Sequence, residues 1–311
     1  MGDGKTARDC CIKGGLAKFQ GGKPCVVIGS VKGHTPGEMQ AANYGMAAPS
    51  GYRTALRLFK LAETFGLPVI TLVDTCGAWP SFDAERDGQS EAIATNLTAM
   101  ASLRVPIVTL VVGEGGSGGA LGIGMGNSIG MLSQGYFGVI SPEGAASILG
   151  RYKDDADKAA KFPLDCQELA TVQNIYAYQL KAIGVVDEIV YEREGETHQS
   201  FPVTAARAAN FIGRMLKSLT AMSADELVAQ RYAKFREMGN FSELSAQAKT
   251  NLLAEADRNP PKKRARTGAC TRPSPLVKWI AHETLLGPYS RLNGQAPPLT
   301  PMSPPTAPTV A

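Results

Sequence analysis

Gly113-Glu114-Gly115-Gly116-Ser117-Gly118-Gly119-Ala120-Leu121-Gly122 is the stretch on which the reading of this 311-residue chain turns. An apolar, β-rich segment, residues 105–112, leads into it, and the apolar, glycine-laced residues 120–125 that follow can start a helix. The predicted layout is strand, tight glycine turn, helix. Such a turn leaves unpaired backbone N–H groups at a helix N-terminus, where the helix dipole adds positive potential. Glycines lack a Cβ, so a ligand can come up to that backbone. The natural guest is negative, or becomes negative during a reaction.

Outward from this stretch, strand and helix alternate. Residues 24–31 (PCVVIGSV) and 68–73 (PVITLV) read as buried strands. Between them Ala55, Leu58, Phe59, Ala62 and Phe65 recur at helical spacing, and Gly66 and Pro68 close the helix. Residues 32–40 read as a loop or the start of a helix, and residues 43–51 as a turn-rich loop. The second strand ends in Asp74-Thr75-Cys76-Gly77-Ala78-Trp79-Pro80. Residues 85–103 are predicted as one long helix, with Ile93, Leu97, Met100 and Ala101 along one side. Downstream, residues 137–140 (FGVI) form a strand running into Ser141-Pro142-Glu143-Gly144, where Ser141 is placed to cap a helix. Residues 164–183 are a helix, 185–190 a closing strand, and 205–219 and 224–238 two further helices. Residues 1–21, rich in glycine and lysine, carry little signal and are set apart as an N-terminal segment. Continuous apolar strands alternating with helices predict a layered α/β fold with parallel strands. Both glycine-bearing loops, at Gly77 and at Gly115–Gly119, follow strand C-termini, where open α/β folds place their sites.

Composition narrows the function classes. Hydrophobic residues make up 44% of the chain, which supports a substantial core and excludes global disorder. No apolar run reaches the roughly 18–20 residues of a membrane span, and the N-terminus lacks the apolar core of a secretory signal. The six cysteines include no C-x-x-C pair, and the three histidines do not cluster with them, so neither a metal site nor a disulfide framework is expected. Residues 251–311 hold eight Lys/Arg against three Asp/Glu, a net of +5, which leaves the other 250 residues at −1. The globular part is thus near neutral and does not advertise nucleic-acid binding. The run Pro260-Pro261-Lys262-Lys263-Arg264-Ala265-Arg266 and seven prolines in residues 288–311 mark 241–311 as a basic, proline-rich extension. A short helix around Trp279 is the one element expected there.

Three chemistries are open to the glycine turn, two of which match it letter by letter. As G-x-G-x-x-G it suggests dinucleotide binding, but that pattern needs an acidic residue at the end of the next strand, and Glu143 comes late and follows Ser-Pro. As G-x-S-x-G around Ser117 it suggests a nucleophile elbow, but the only downstream histidines are His198 and His282, neither with an acidic partner in context. As an oxyanion hole it requires no nucleophile and no histidine. Cys76 reads as a small loop residue, Asp74 and Thr75 as residues that fix their loop through side-chain-to-backbone bonds, Glu114 as a structural carboxylate, and Met100, Met125 and Met131 as core fillers.

Five ordered blocks then carry a resemblance. They are Gly51-Tyr52-Arg53 with Ala55-Leu56-Arg57-Leu58; Asp74-Thr75 with Gly77-Ala78 and Pro80; Ala84-Glu85-Arg86 with Gly88-Gln89-Ser90-Glu91-Ala92-Ile93-Ala94; residues 113–121; and Val139-Ile140-Ser141-Pro142-Glu143-Gly144 with Ala146-Ser147-Ile148-Leu149. Together with Arg231-Tyr232 and Phe235-Arg236 they resemble the α subunit of the bacterial and plastid-type acetyl-CoA carboxylase carboxyltransferase, over roughly residues 22–240. The resemblance implies a crotonase-like (ClpP/crotonase) spiral fold of repeated β-β-α units, toward which the plain layered reading bends. It implies transfer of a carboxyl group from carboxybiotin, held on a biotin carboxyl carrier protein, to acetyl-CoA to give malonyl-CoA, in fatty acid biosynthesis. It further implies a carboxyltransferase β subunit in an α2β2 assembly. Carried over by position, Gly118 and Gly119 donate N–H groups to the anionic biotin oxygen, Gly115 and Gly116 shape the turn, and Gly77 and Ala78 line the neighbouring loop. The released biotin anion can serve as base, so His34 need not be catalytic.

The chain departs from the family pattern at Cys76 and Trp79, where the family carries Pro and Tyr. It departs again at His34, Glu38, Gln40, Ala41 and Ala42, where the family carries basic residues. These departures keep an alternative open: a catalytically inactive derivative serving as a structural subunit of a larger complex. The abrupt start and proline-rich tail point to a plastid stroma, with a bacterial cytoplasm as the alternative.

Overall fold

Apart from one antiparallel edge strand, the sheet is built from parallel strands whose two faces are both apolar, so helices must cover both. The computed structural model describes residues 9–150, 152–192 and 201–239, together with 245, 247 and 250. The chain divides into Met1–Asn240 and Phe241–Ala311. The basic run at 260–266 and the helix expected around Trp279 lie outside the described residues.

An antiparallel hairpin comes first. β1 (Ile12–Phe19) pairs with β2 (Lys23–Ser30) from Ile12↔Ser30 to Phe19↔Lys23. Gly21 and Gly22 turn the chain with φ of 76° and 80°. This strand lies in the region whose glycines and lysines hid it. As the sheet's edge it leaves Leu16 68% exposed, so it lacks a continuous apolar run. A crossover through α1 (Pro36–Ala41), a 3-10 turn (Asn43–Gly45) and α2 (Pro49–Thr64) leads to β3 (Val69–Thr75), parallel to β2. Then come α3 (Phe82–Arg86), α4 (Gln89–Ser102) and β4 (Ile107–Gly116), parallel to β3. The single helix expected over 85–103 is two helices, because Gly88 sits in the left-handed region at φ 85° and separates them.

β4 is the long central strand. It passes into α5 (Ser117–Gly124), and β5 (Ser128–Leu132) returns parallel along its first half. β6 (Tyr136–Gly138) pairs parallel with its far end, Glu114–Gly116. β5 was missed in the sequence: five residues flanked by Gly126-Asn127 and Ser133-Gln134-Gly135 look like part of a turn. α6 (Pro142–Leu149) starts at the expected cap, with Ser141 Oγ accepting from Gly144 N at 3.1 Å. α7 (Asp155–Val172) begins before its internal Pro163, whereas the sequence reading started the helix after that proline. Asn174, at φ 53°, ends it, so the helix expected to continue to residue 183 resumes as α8 (Ala177–Ala182). β7 (Glu188–Val190) pairs with β5, and α9 (Phe201–Leu219) and α10 (Ala224–Glu237) follow. The sheet order is β1-β2-β3-β4-β5-β7, with β6 added on β4. The run β5-β6-α6, in which two short strands pair with successive parts of β4 before a helix, has the β-β-α order of the expected spiral.

Alternate residues of one strand feed opposite cores. Val69, Ile107 and Val111 meet Tyr52, Phe59 and Met100 of the α2–α4–α5 layer. Ile70, Val108 and Leu110 meet Phe211, Leu216 and Leu227 on the other face. Burying each such large apolar side chain contributes about 1.5–3 kcal/mol. Thr71 and Thr109, both buried, satisfy one another across the strands at 2.8 Å.

One fully buried cation ties the layers. Arg231 of α10 donates to the carbonyls of Met100 (2.6 Å), Leu103 (2.9 Å) and Val105 (3.2 Å) and to Asn127 Oδ1 (2.7 Å). It thereby serves as the cap for the C-terminal carbonyls of α4, which the helix cannot satisfy itself. Burial lowers its pKa to about 10, so it remains charged at neutral pH.

Candidate functional site

The C-terminal ends of β3 and β4 lie side by side and carry the two glycine loops. Gly113–Gly116 are not the turn that the sequence suggested. They continue β4, with Gly115 paired to Thr75 on one side and to Phe137 on the other. A Cβ on Gly115 would sit 2.6 Å from the Phe137 ring, and one on Gly116 would sit 2.1 Å from the Cys76 carbonyl oxygen. These glycines exist so that neighbouring chain can press against the strand. The turn itself is compressed into Ser117, a non-glycine residue held at φ 53°, a conformation that costs roughly 1–2 kcal/mol. Helix α5 starts there, three residues earlier than the sequence indicated.

The first turn of α5 has no side-chain cap, so no side chain of its N-cap satisfies its leading N–H groups. Its two predicted donors are not equivalent. Gly119 is buried, and a Cβ there would lie 2.3 Å from the Gly77 carbonyl carbon and 2.5 Å from Ala78 N. Gly118 is partly exposed, and a Cβ there would meet nothing closer than Ile93 at 3.8 Å. The structure therefore brings all six predicted residues together. Gly77 and Ala78 seal Gly119 from behind, while a Cβ on Gly118, which is partly exposed, would meet only the Ile93 side chain at ordinary contact distance.

The loop that does the sealing is itself fixed. Thr75 Oγ1 donates to Gly77 O at 2.7 Å and accepts from Gly77 N at 3.1 Å. Trp79 N donates to Ala47 O at 3.2 Å, and Gln89 Nε2 reaches the same carbonyl at 2.7 Å. Asp74 Oδ1 accepts from Glu114 N at 3.0 Å, and Glu114 pairs with Lys32 at the end of β2. Burial pushes the Asp74 carboxyl above its ordinary value. Desolvation and the Glu114 charge likewise raise the Cys76 thiol, which keeps it protonated and accords with its reading as a loop residue.

Residues that the sequence reading passed over aim the helix. Tyr52 Oη donates to Gly119 O at 3.3 Å, with its ring where a Gly122 Cβ would be. Asn96 Nδ2 donates to Tyr52 O at 3.0 Å and Gly122 O at 2.9 Å. Asn96 was legible in principle. Gln89, Ala92, Asn96 and Met100 are buried on one face of α4, and a polar residue on such a face needs partners. Such a site can stabilise an oxygen that gains negative charge at α5. Among the described residues no group of three or more His, Cys, Asp or Glu is placed to hold a metal ion, and no helix is long and apolar enough to cross a membrane.

Comparison with known proteins gives the family and the fold. The family model described as acetyl co-enzyme A carboxylase carboxyltransferase-like matches residues 1–239. The acetyl-coenzyme A carboxylase carboxyl transferase subunit alpha of Geobacillus kaustophilus (strain HTA426) is 48% identical over 241 residues, covering 78% of this chain and 71% of the relative. Its counterpart in Azoarcus sp. (strain BH72) is 45% identical over 245 residues, covering 79% and 73%. Both relatives are bacterial. Among solved structures, a Pseudomonas malonate decarboxylase hetero-tetramer in complex with coenzyme A superposes with a TM-score of 0.56 at 14% identity, covering 82% of this chain and 92% of that one. A transcarboxylase 12S structure with hydrolysed methylmalonyl-coenzyme A bound superposes with a TM-score of 0.54 at 17% identity, covering 74% of this chain and 38% of that one. At these identities the superpositions bear on the fold alone, and it is the crotonase-like fold of carboxyltransferases. With the family match spanning the whole sheet and the glycine turn, the chain belongs to the acetyl co-enzyme A carboxylase carboxyltransferase family.

Proposed function

We propose that this chain is the α subunit of an acetyl-CoA carboxylase carboxyltransferase, moving a carboxyl group from carboxybiotin to acetyl-CoA to give malonyl-CoA. The observation that carries the reading is the uncapped start of α5, partly exposed at Gly118 and backed at Gly119 by the Gly77–Ala78 loop. When bound, carboxybiotin supplies the carboxyl group, and its ureido oxygen gains negative charge as that group leaves. The residues fit such an oxygen. The N–H groups of Gly118 and Gly119 stand at the positive end of a helix, and the open face of Gly118 admits a planar ring. Because α5 is anchored through Tyr52 and Asn96, the donors need not reorganise as charge develops. One such donor is worth about 3 kcal/mol of barrier.

The partners in this proposal are a carboxyltransferase β subunit, in an α2β2 assembly, and a biotin carboxyl carrier protein. Val139, just after β6, Ile148 and Leu149 of α6, and Leu164 of α7, large apolar residues 64–76% exposed, support a subunit partner. The bacterial relatives favour a bacterial-type cytoplasmic setting. They carry the transferase's name, and nothing in them favours the structural-subunit alternative. The test is the reverse reaction. Co-purified with its β subunit, the chain should convert malonyl-CoA to acetyl-CoA only when free biotin is present. A stable α–β complex with no biotin-dependent turnover would overturn the proposal.

A further inference from the structure

The β3–β4 ladder is regular up to Val73↔Val111, and the next pair is Thr75↔Gly115. Over that step β3 advances past Asp74 alone, while β4 advances past Val112, Gly113 and Glu114. A bulge of this size takes backbone donors out of the ladder and frees the strand to change direction. It falls immediately before Gly115, Gly116 and the start of α5, so the direction β4 takes out of the bulge sets where the N–H groups of Gly118 and Gly119 lie.

The Asp74 side chain fills the gap. Its Oδ1 accepts the Glu114 N–H at 3.0 Å, standing in for the missing ladder acceptor. The same oxygen would lie 2.6 Å from a Cβ on Gly113, so the carboxylate occupies the space that a side chain there would need. Asp74 is held in turn from its own backbone. A Cβ on Gly45, which sits at φ 79°, would lie 2.7 Å from Asp74 O. On the far side of the bulge, the Glu114 carboxylate is tied to Lys32. The charged and titratable groups facing Asp74 are Lys32 and His34 from the segment after β2, Cys76 just beyond β3, Glu114 from β4 and Tyr136 from β6.

We infer that Asp74 is a positioning residue for the transfer reaction. Its side-chain oxygen closes the bulge in β4 and so fixes the line on which the glycine donors enter the site. It touches no reacting atom, and it is the acceptor atom at Oδ1, not the charge, that does the positioning. This inference rests on the proposed carboxyltransferase reading for its kinetic consequence, and on the strand geometry alone for its structural one.

Two variants separate the acceptor from the charge. Asp74→Asn keeps an oxygen at Oδ1, while Asp74→Ala removes it. Each is purified with the β subunit and assayed for biotin-dependent acetyl-CoA formation from malonyl-CoA, and amide hydrogen exchange is followed over residues 113–121. Asp74→Ala should lower kcat by about tenfold or more with KM for malonyl-CoA within about twofold of the parent, because geometry and not substrate binding is lost. Its Glu114 and Gly115 amides should exchange faster. Asp74→Asn should keep kcat within about twofold and exchange like the parent. A folded Asp74→Asn as impaired as Asp74→Ala would overturn the inference, since the charge would then be what matters. Parental kcat and exchange in Asp74→Ala would overturn it from the other side. If Asp74→Ala does not fold, Asp74→Asn decides alone: parental activity and exchange uphold the inference, and loss of either sinks it. If the parent complex itself has no activity, the carboxyltransferase reading fails, and the exchange comparison still decides the role of Asp74.

Discussion

Replacing Gly118 and Gly119 one at a time by alanine separates a residue that faces the reaction from one that holds the wall behind it. At Gly119 the added methyl would begin 2.3 Å from the Gly77 carbonyl carbon, and ordinary contact starts at 3.4 Å, so the loop backbone must retreat by about 1.1 Å. That loop is tied by Thr75, Trp79 and Gln89, so the retreat strains several hydrogen bonds, at an expected cost of about 1–3 kcal/mol. For a domain of this size such a loss lowers Tm by roughly 2–12 °C. At Gly118 the methyl meets only Ile93 at 3.8 Å, an ordinary contact, and alanine in place of glycine stabilises a helix by up to about 1 kcal/mol. Gly118→Ala should therefore keep or raise Tm. Its methyl nonetheless crowds the approach of the proposed acceptor oxygen to the Gly118 N–H. Loss of one such contact predicts a fall in kcat of about 100-fold. The assay pairs thermal unfolding of each α–β complex with biotin-dependent turnover of malonyl-CoA. Parental turnover in Gly118→Ala would refute the placing of the reaction at that face, and a parental Tm in Gly119→Ala would refute the sealed wall.

Three further perturbations follow from the packing. Arg231→Ala leaves the Met100, Leu103 and Val105 carbonyls and Asn127 Oδ1 without their buried donor, and should cost about 3–5 kcal/mol, read as a lower denaturant midpoint. Gly130→Ala puts a methyl 2.4 Å from the Phe211 ring and should destabilise by about 1–3 kcal/mol without altering KM, since β5 pairs with β4 well below the glycine turn. Burial raises the Asp74 pKa in the folded state, so between the unfolded value and that raised value the folded chain binds more protons. Asp74 thus makes stability rise as pH falls through that window, and Asp74→Asn should remove this component and be at least as stable as the parent at neutral pH, as urea titrations across pH would show.

The parts of the fold legible in the sequence are those where one physical signal dominates. The strands at Val69, Ile107 and Lys23 are apolar on both faces, and Ser141-Pro142 is a cap followed by a proline that fits the first helical turn. β1 was hidden because an edge strand needs only one good face, and its glycines and lysines look like linker. Gly88 and Asn174 broke two expected helices because a single left-handed residue stops a helix without disturbing the apolar spacing around it. At the site, the glycines were readable but their division of labour was not. Whether a glycine lacks a Cβ for a ligand, as at Gly118, or for neighbouring backbone, as at Gly116 and Gly119, depends on chain that arrives from forty residues away. Asp74 was read as a loop-fixing residue, and the structure adds that what it fixes is the facing strand at Glu114.

The most direct test of the central claim is the forward reaction. The chain is purified with its β subunit and given carboxylated biotin carrier protein and acetyl-CoA, and malonyl-CoA is measured against time. The placement of donors at Gly118 and Gly119 predicts malonyl-CoA from the complex and about 100-fold less from the complex carrying Gly118→Ala. A folded parent complex that forms no malonyl-CoA, or a Gly118→Ala complex that forms it at the parental rate, would contradict it.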